Sequence, residues 1–223
     1  MNIEHLLEAC VSSGLFLVFE GIEGSGKTLQ LDFLARHLRG KGVDFLVTRE
    51  PGGTSLGRGI RRLLLEDGDP CSMAELFLYL ADRAQHVTQV VRPALEAGRT
   101  VLSDRYYPST LAYQGYGRGL DVHFVREASF QATGGLRPHL VVLLDLPVEE
   151  AMTRIRGRNL DRMERETLEF HAGVREGFLV QAREEPELFL VIDGTRRPKE
   201  VFQDVLAGLA LRFPDLSHLF LKG

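Results

Sequence analysis

The sequence predicts a single doubly wound α/β domain, a five-stranded parallel sheet with helices on both faces. Three observations carry the prediction. Apolar runs of strand length alternate with helical patterns from Leu15 to about Leu211, and alternating βα units build a parallel sheet. Four of the five runs lack the period-two pattern of a half-exposed strand, as strands covered on both faces do. The first run leads straight into Gly21-Ile22-Glu23-Gly24-Ser25-Gly26-Lys27-Thr28, which fits the P-loop pattern G-x-x-x-x-G-K-[ST] without mismatch.

Taken in order, Leu15 to Phe19 reads as a buried strand. After the glycine-rich turn, Leu29, Leu31, Phe33, Leu34 and Leu38 give a helix an apolar face, stopped by Gly40 and Gly42. Val43 to Thr48 is the second strand. It ends at Arg49-Glu50-Pro51-Gly52-Gly53, a loop in which the bond before Pro51 is a candidate for the cis form. Leu56 to Leu65 reads as a basic helix, broken by Asp67-Gly68-Asp69-Pro70. A long helical pattern from Ser72 to about Ala97 sets Leu76, Tyr79, Leu80 and Arg83 at neighbour spacings. Thr100 to Asp104 is a short strand running into Arg105, followed by Ser109, Thr110, Tyr113, Gln114 and a glycine-rich turn from Gly115 to Gly119. Val122 to Thr133 is helical, His139 to Asp145 a buried strand, and Val148 to Arg156 a helix. The basic segment Arg154 to Arg162 leads into a helix from about Glu164 to Arg183. Leu188 to Asp193 is the last strand, and a final helix runs to about Leu211. The expected organisation is an N-terminal extension over 1–14, a domain over 15–212 with a lid at about 154–163, and a tail over 213–223.

Strand, glycine-rich turn and helix together are a phosphate cradle. Glycine lets successive backbone N–H groups converge on phosphate oxygens, and the helix N-terminus adds partial positive charge. Lys27 reaches the β- and γ-phosphates of a nucleoside triphosphate, and the Thr28 hydroxyl is a ligand for Mg²⁺.

Composition excludes several classes. The 223 residues carry 44% hydrophobic and 26% charged side chains and a net charge of −4, which gives no reason to expect a nucleic acid or an acidic membrane as partner. No apolar run approaches a membrane span. The first fourteen residues hold Glu4 and Glu8 and no basic region, unlike a secretory signal; they read as a short amphipathic helix. Cys10 and Cys71 lack metal-ligand spacing and read as reduced thiols of a cytoplasmic protein.

In open parallel sheets, ligands collect at the carboxyl ends of the strands. That rule gathers the P-loop, Arg49, Asp104-Arg105, Asp145 and Asp193-Gly194-Thr195 at one edge. Phosphoryl transfer between two phosphate-bearing molecules needs Mg²⁺ and several cations to hold negative charges together. Arg49, Arg83, Arg105 and the lid arginines supply the cations, and Asp104 is placed to hold the metal. A guanine-specifying Asn-Lys-x-Asp element is absent, and Asp145 is not followed by a D-x-x-G switch. The chain is therefore read as a small-molecule kinase.

Five motifs in order then carry a resemblance: Phe19 to Thr28; Thr48-Arg49-Glu50-Pro51-Gly52-Gly53-Thr54; Ala81-Asp82-Arg83-Ala84-Gln85-His86; Ser103-Asp104-Arg105-Tyr106 with Ser109 to Gly115; and Leu160-Asp161-Arg162-Met163-Glu164. Over Leu15 to about Leu211 the chain resembles the thymidylate kinases, which phosphorylate dTMP to dTDP with ATP. The resemblance implies that Glu23 lies near the acceptor sugar and metal, and that Arg105 holds the dTMP phosphate with Arg49 nearby. It implies that Arg83 reads the thymine carbonyl, that Thr110 and Gln114 contact the base edge, and that Tyr113 packs under the deoxyribose. Tyr79 stands where the family usually stacks phenylalanine on thymine; Phe77 is read as core packing. Gly24 stands where some members carry a catalytic arginine, so the lid must supply it from Arg156 or Arg158. The family implies a homodimer. The remaining alternatives are a kinase for another nucleotide or nucleoside, and a non-catalytic nucleotide-binding relative.

Overall fold

The computed structural model describes residues 14–66 and 68–221. The helix expected over the first residues, with Cys10, lies outside them. Five strands form one parallel sheet in the order β2-β3-β1-β4-β5: β1 Phe16–Glu20, β2 Phe45–Arg49, β3 Thr100–Asp104, β4 Leu140–Asp145 and β5 Phe189–Asp193. The chain winds from the central β1 out to β2, returns to β3, then crosses to β4 and β5. The register aligns Phe19 and Arg49 with Asp104, and Asp145 with Asp193, so the carboxyl ends finish nearly level.

The helices are α1 Lys27–Gly40, α2 Ser55–Leu65, α3 Ser72–His86, α4 Arg92–Glu96, α5 Tyr107–Thr110, α6 Val122–Thr133, α7 Val148–Ile155, α8 Leu168–Glu184, α9 Pro198–Arg212 and α10 Ser217–Phe220. Successive strand residues point to opposite faces, and both faces are covered. Phe16, Val18, Val101, Val141 and Leu143 pack with Val174 and Phe178 of α8 on one side. Leu17, Phe19, Leu102, Val142 and Leu144 pack with α1 and α9 on the other. That double covering explains the continuous apolar runs. The edge strands β2 and β5 are only partly buried.

The long pattern from Ser72 is helical to Glu96, as expected, with a π-helical segment over Val87–Val91. Several other sequence expectations are corrected. The glycine-rich turn begins later than expected, because α5 continues as a second π segment, Leu111–Gly117. Gly173 and Gly177 of α8 let that segment approach, since a Cβ on Gly177 would lie 2.7 Å from the Tyr116 ring. The helix expected from Glu164 starts at Leu168, where the Thr167 hydroxyl caps it by accepting from Phe170 N. Phe77 does not pack in the core; it is 54% exposed, because Leu76 and Leu80 take the buried face of α3. The expected C-terminal tail is partly core: Phe220 is buried in the same cluster as Leu34 and Val205.

Candidate active site

The P-loop leaves the central strand and turns directly into α1. Gly26 caps the helix with φ 93°, and the first turn of α1 holds no acidic residue, so its N–H groups remain for an anion. Lys27 folds back along the loop, its Nζ donating to Ile22 O at 3.0 Å. Burial, reinforced by Arg105, pulls the Lys27 ammonium down to about 8 against the attraction of Asp104, Glu23 and Glu20. Gly24 has φ 76°, and a Cβ there would lie 2.2 Å from the Ala151 carbonyl of α7. An arginine at that P-loop position therefore has no room in this fold.

Thr28 Oγ1 donates to Asp104 Oδ2 at 2.6 Å, joining the start of α1 to the end of β3. Two hard oxygens, one anionic, beside a phosphate cradle suit Mg²⁺. Among the described residues no group of three or more His, Cys, Asp or Glu side chains could hold a metal, so further ligands would be phosphate oxygens and water.

Behind this pair stands a compact charge cluster. Arg105 adopts φ 74°, a strained conformation for a non-glycine residue. Its N–H donates to Phe19 O at 3.0 Å, and its carbonyl accepts from Ser103 Oγ at 2.8 Å. The turn aims the guanidinium at Glu23 (2.8 Å), the Tyr113 hydroxyl (3.0 Å) and Ser109 Oγ (2.9 Å). Tyr113 in turn donates to Glu23 at 2.6–2.7 Å. Burial alone would raise the Glu23 carboxyl; Arg105, Lys27 and Tyr113 outweigh it and hold it below the usual range. Glu20, deeper still, accepts from Tyr106 N, Ser109 N and Ser109 Oγ. There burial wins, and its carboxyl is pushed up to about 7.

A second compartment opens between α3 and the π segment. Arg83 is 1% exposed and donates to Glu50 Oε2 (2.8 Å), Thr110 Oγ1 (2.7 Å) and Tyr106 O (3.1 Å). Glu50 also bonds His86 Nδ1 at 2.8 Å, and the Glu50–Pro51 peptide is cis, as anticipated. Burial works against the Glu50 charge, but Arg83 and His86 hold its carboxyl below the usual range. Tyr79 lines the same space, and burial raises its phenol, so the ring stays neutral. Gln114 Nε2 donates to Glu75 at 2.8 Å.

The two compartments form one cavity of about 970 Å³. Its wall includes Glu23 to Thr28, Arg49, Tyr79, Arg83, Asp104, Arg105, Thr110, Tyr113 and Gln114. Gly21 and Ile22 stand behind it, giving carbonyls to Arg105 and Lys27. The lid arginines separate. Arg158 lines the cavity, whereas Arg156 is exposed and outside its wall. Arg154 is tied to Glu150 and Gly194 O, and Arg162 to Leu64 O and Glu75. Asp145, at the expected edge, is instead bound bidentately by Arg175 at 2.7 and 2.9 Å and stays out of the wall. Sequence reasoning missed Glu20, Glu50 and Glu75 as charge partners. For Glu75 a signal existed: it sits four residues before Tyr79 and eight before Arg83, on the cavity face of one helix.

A triphosphate cradle, a metal-ready Thr–Asp pair and an arginine-lined second compartment at the carboxyl edge of a parallel sheet define a P-loop phosphotransferase with two substrates. Comparison with known proteins narrows that class. Residues 19–205 match the family model for thymidylate kinase. The thymidylate kinase of Desulfovibrio desulfuricans is 52% identical over 197 residues, covering 84% of this chain and 91% of that protein. That of Carboxydothermus hydrogenoformans is 53% identical over 194 residues, covering 86% and 95%. The crystal structure of thymidylate kinase from Ehrlichia chaffeensis matches with a TM-score of 0.75 at 31% identity, over 88% of this chain and 98% of that one. The chain belongs to the thymidylate kinase family.

Proposed function

We propose that the cavity transfers the terminal phosphoryl group of ATP to dTMP, giving dTDP and ADP. The observation that carries this reading is the joining of a P-loop compartment to a second one lined by Arg83, Thr110, Tyr113 and Gln114. ATP lies on the P-loop, its phosphates held by loop amides and Lys27. Thr28 and Asp104 hold Mg²⁺, which when bound neutralises charge on the phosphate oxygens. Arg105, with Arg49, holds the acceptor phosphate, and the bonds it donates to Glu23 and Tyr113 keep its guanidinium in place. That phosphate is already ionised near neutral pH, so no general base is required. Arg83 donates to the thymine carbonyl and Tyr79 stacks on the ring. Tyr113 lies under the deoxyribose; its hydroxyl is committed to Glu23 and Arg105 and cannot swing aside for a 2′-hydroxyl, which disfavours ribonucleotides. Arg158 is the lid cation for the group in flight.

Among the described residues no helix is long and apolar enough to cross a membrane. We further propose a cytoplasmic homodimer; the exposed free Cys71 thiol supports a reducing compartment, and exposed apolar side chains on α2 and α3 support self-association.

Steady-state kinetics of Arg105→Ala test the acceptor assignment. The variant should lose about a hundredfold or more in kcat/KM for dTMP, with a much smaller change in KM for ATP. Near-normal turnover and dTMP affinity would contradict the assignment.

A further inference from the structure

Glu75 is fully buried on α3, yet its carboxylate is the meeting point of two segments distant from it in sequence. Gln114 Nε2 donates to Oε1 at 2.8 Å, Arg118 donates to both oxygens at 3.1 Å, and Arg162 donates to Oε2. The arginines are themselves fixed. Arg118 pairs with Glu166 at 2.6 Å and lies over the Phe170 ring, while Arg162 Nε donates to Leu64 O at 2.8 Å. The carboxylate cannot turn away from Gln114 without abandoning both arginines. Burial opposes its charge, but the bonds from Arg118, Arg162 and Gln114 keep it ionised below the usual carboxylate range.

An ionised carboxylate accepts and never donates. The Gln114 amide can therefore face Glu75 only with its nitrogen. Gln114 also lines the cavity, so the polar atom left for a bound base is its oxygen, an acceptor. We infer that Glu75 is a specificity-determining positioning residue: by holding Gln114 Nε2 it turns Gln114 Oε1 toward the acceptor base and selects a pyrimidine with an N–H at ring position 3 over one with a bare nitrogen there. Thymine and uracil carry that N–H; cytosine presents a lone pair, which would face the amide oxygen unpaired. The inference rests on the reading of this compartment as the dTMP site.

Glu75→Gln tests it. The two arginines claim the oxygen of the new amide, leaving its NH₂ toward Gln114, which must then turn over and offer an NH₂ to the base. The ratio of kcat/KM for dTMP to that for dCMP should fall about tenfold or more. In a Gln114→Leu background, adding Glu75→Gln should leave the ratio unchanged, because the effect passes through Gln114. An unchanged ratio in a folded, active Glu75→Gln enzyme overturns the inference, as does an equal shift in the Gln114→Leu background. Should Glu75→Gln fail to fold or turn over, NMR of the wild type decides. The Gln114 side-chain amide protons should be protected from exchange in the free protein and stay protected when dTMP binds; free exchange, or protection that appears only with dTMP, overturns the assignment. A wild-type enzyme inert toward dTMP would sink the proposed function instead, a result separable from these.

Discussion

Lys27 is buried and repelled by Arg105, and its ammonium is pulled down to about 8 from 10.5. A triphosphate supplies the missing counter-charge and restores the proton. Because the free-state value is the lower one, binding takes up protons where the free lysine is partly neutral, on the order of half a proton at pH 8. Calorimetry of ATP binding in buffers of different ionisation enthalpy should show this uptake at pH 8, and Lys27→Arg should remove it. Intact binding with no uptake would mean that the lysine is charged throughout. At this scale the sequence was legible where a motif dictates backbone geometry: the P-loop, Asp104-Arg105 and the cis-prone Glu50-Pro51. Glu20, Glu50 and Glu75 were not legible as a set, because their partners lie 25 or more positions away. Glu20 meets Arg105 and Ser109, Glu50 meets Arg83, and Glu75 meets Arg162. Only the packing of β1, α3 and the π segment brings them together.

The lid shows what an element does to residues of one type. Arg154, Arg156, Arg158 and Arg162 look equivalent in sequence, yet the end of α7 and the turns after it give them different neighbours. Arg162 is bound to Leu64 O and Glu75. Of the two exposed lid arginines in the cavity wall, Arg154 is held by Glu150 and the loop after β5, whereas among the described residues no side-chain bond holds Arg158. The Gly24–Ala151 contact leaves no room for a side chain at that P-loop position, which supports the proposed assignment of the cation to the lid. Arg158→Ala should lower kcat about a hundredfold while Arg156→Ala changes it less than about threefold; rapid-quench measurement of the chemical step checks both. Equal effects would move the essential arginine elsewhere. The five strands and the longer helices were readable from periodicity, while the four-residue helices α5 and α10 were not. The π segment over Leu111–Gly117 was not, because its glycines read as a turn and only α8, notched at Gly173 and Gly177, shows why a helix persists there.

On the scale of the whole molecule, the apolar runs fixed the parallel sheet because both its faces are covered, and the same logic fails where burial is one-sided. Phe77 looked like core in sequence and is exposed; Met73, one turn earlier on α3, and Leu56 and Leu63 on α2 are exposed as well. These side chains are the support for a homodimer. Sedimentation equilibrium should give twice the chain mass for the wild type, and Phe77→Glu should shift it toward monomer. A wild-type monomer at micromolar concentration would contradict the dimer. The C-terminal residues after Arg212, read as a tail, close the core instead through Phe220, a contact no local pattern announces.

The central claim is a two-substrate site in which the P-loop compartment holds the phosphoryl donor and the second compartment a thymine nucleotide. A coupled kinase assay of the purified protein with ATP and Mg²⁺ across the nucleoside monophosphates tests it most directly. dTMP should be the preferred acceptor, with dUMP weaker and dCMP and ribonucleotides poor. Nucleotide binding without turnover of dTMP, or a clear preference for another acceptor, would contradict the account.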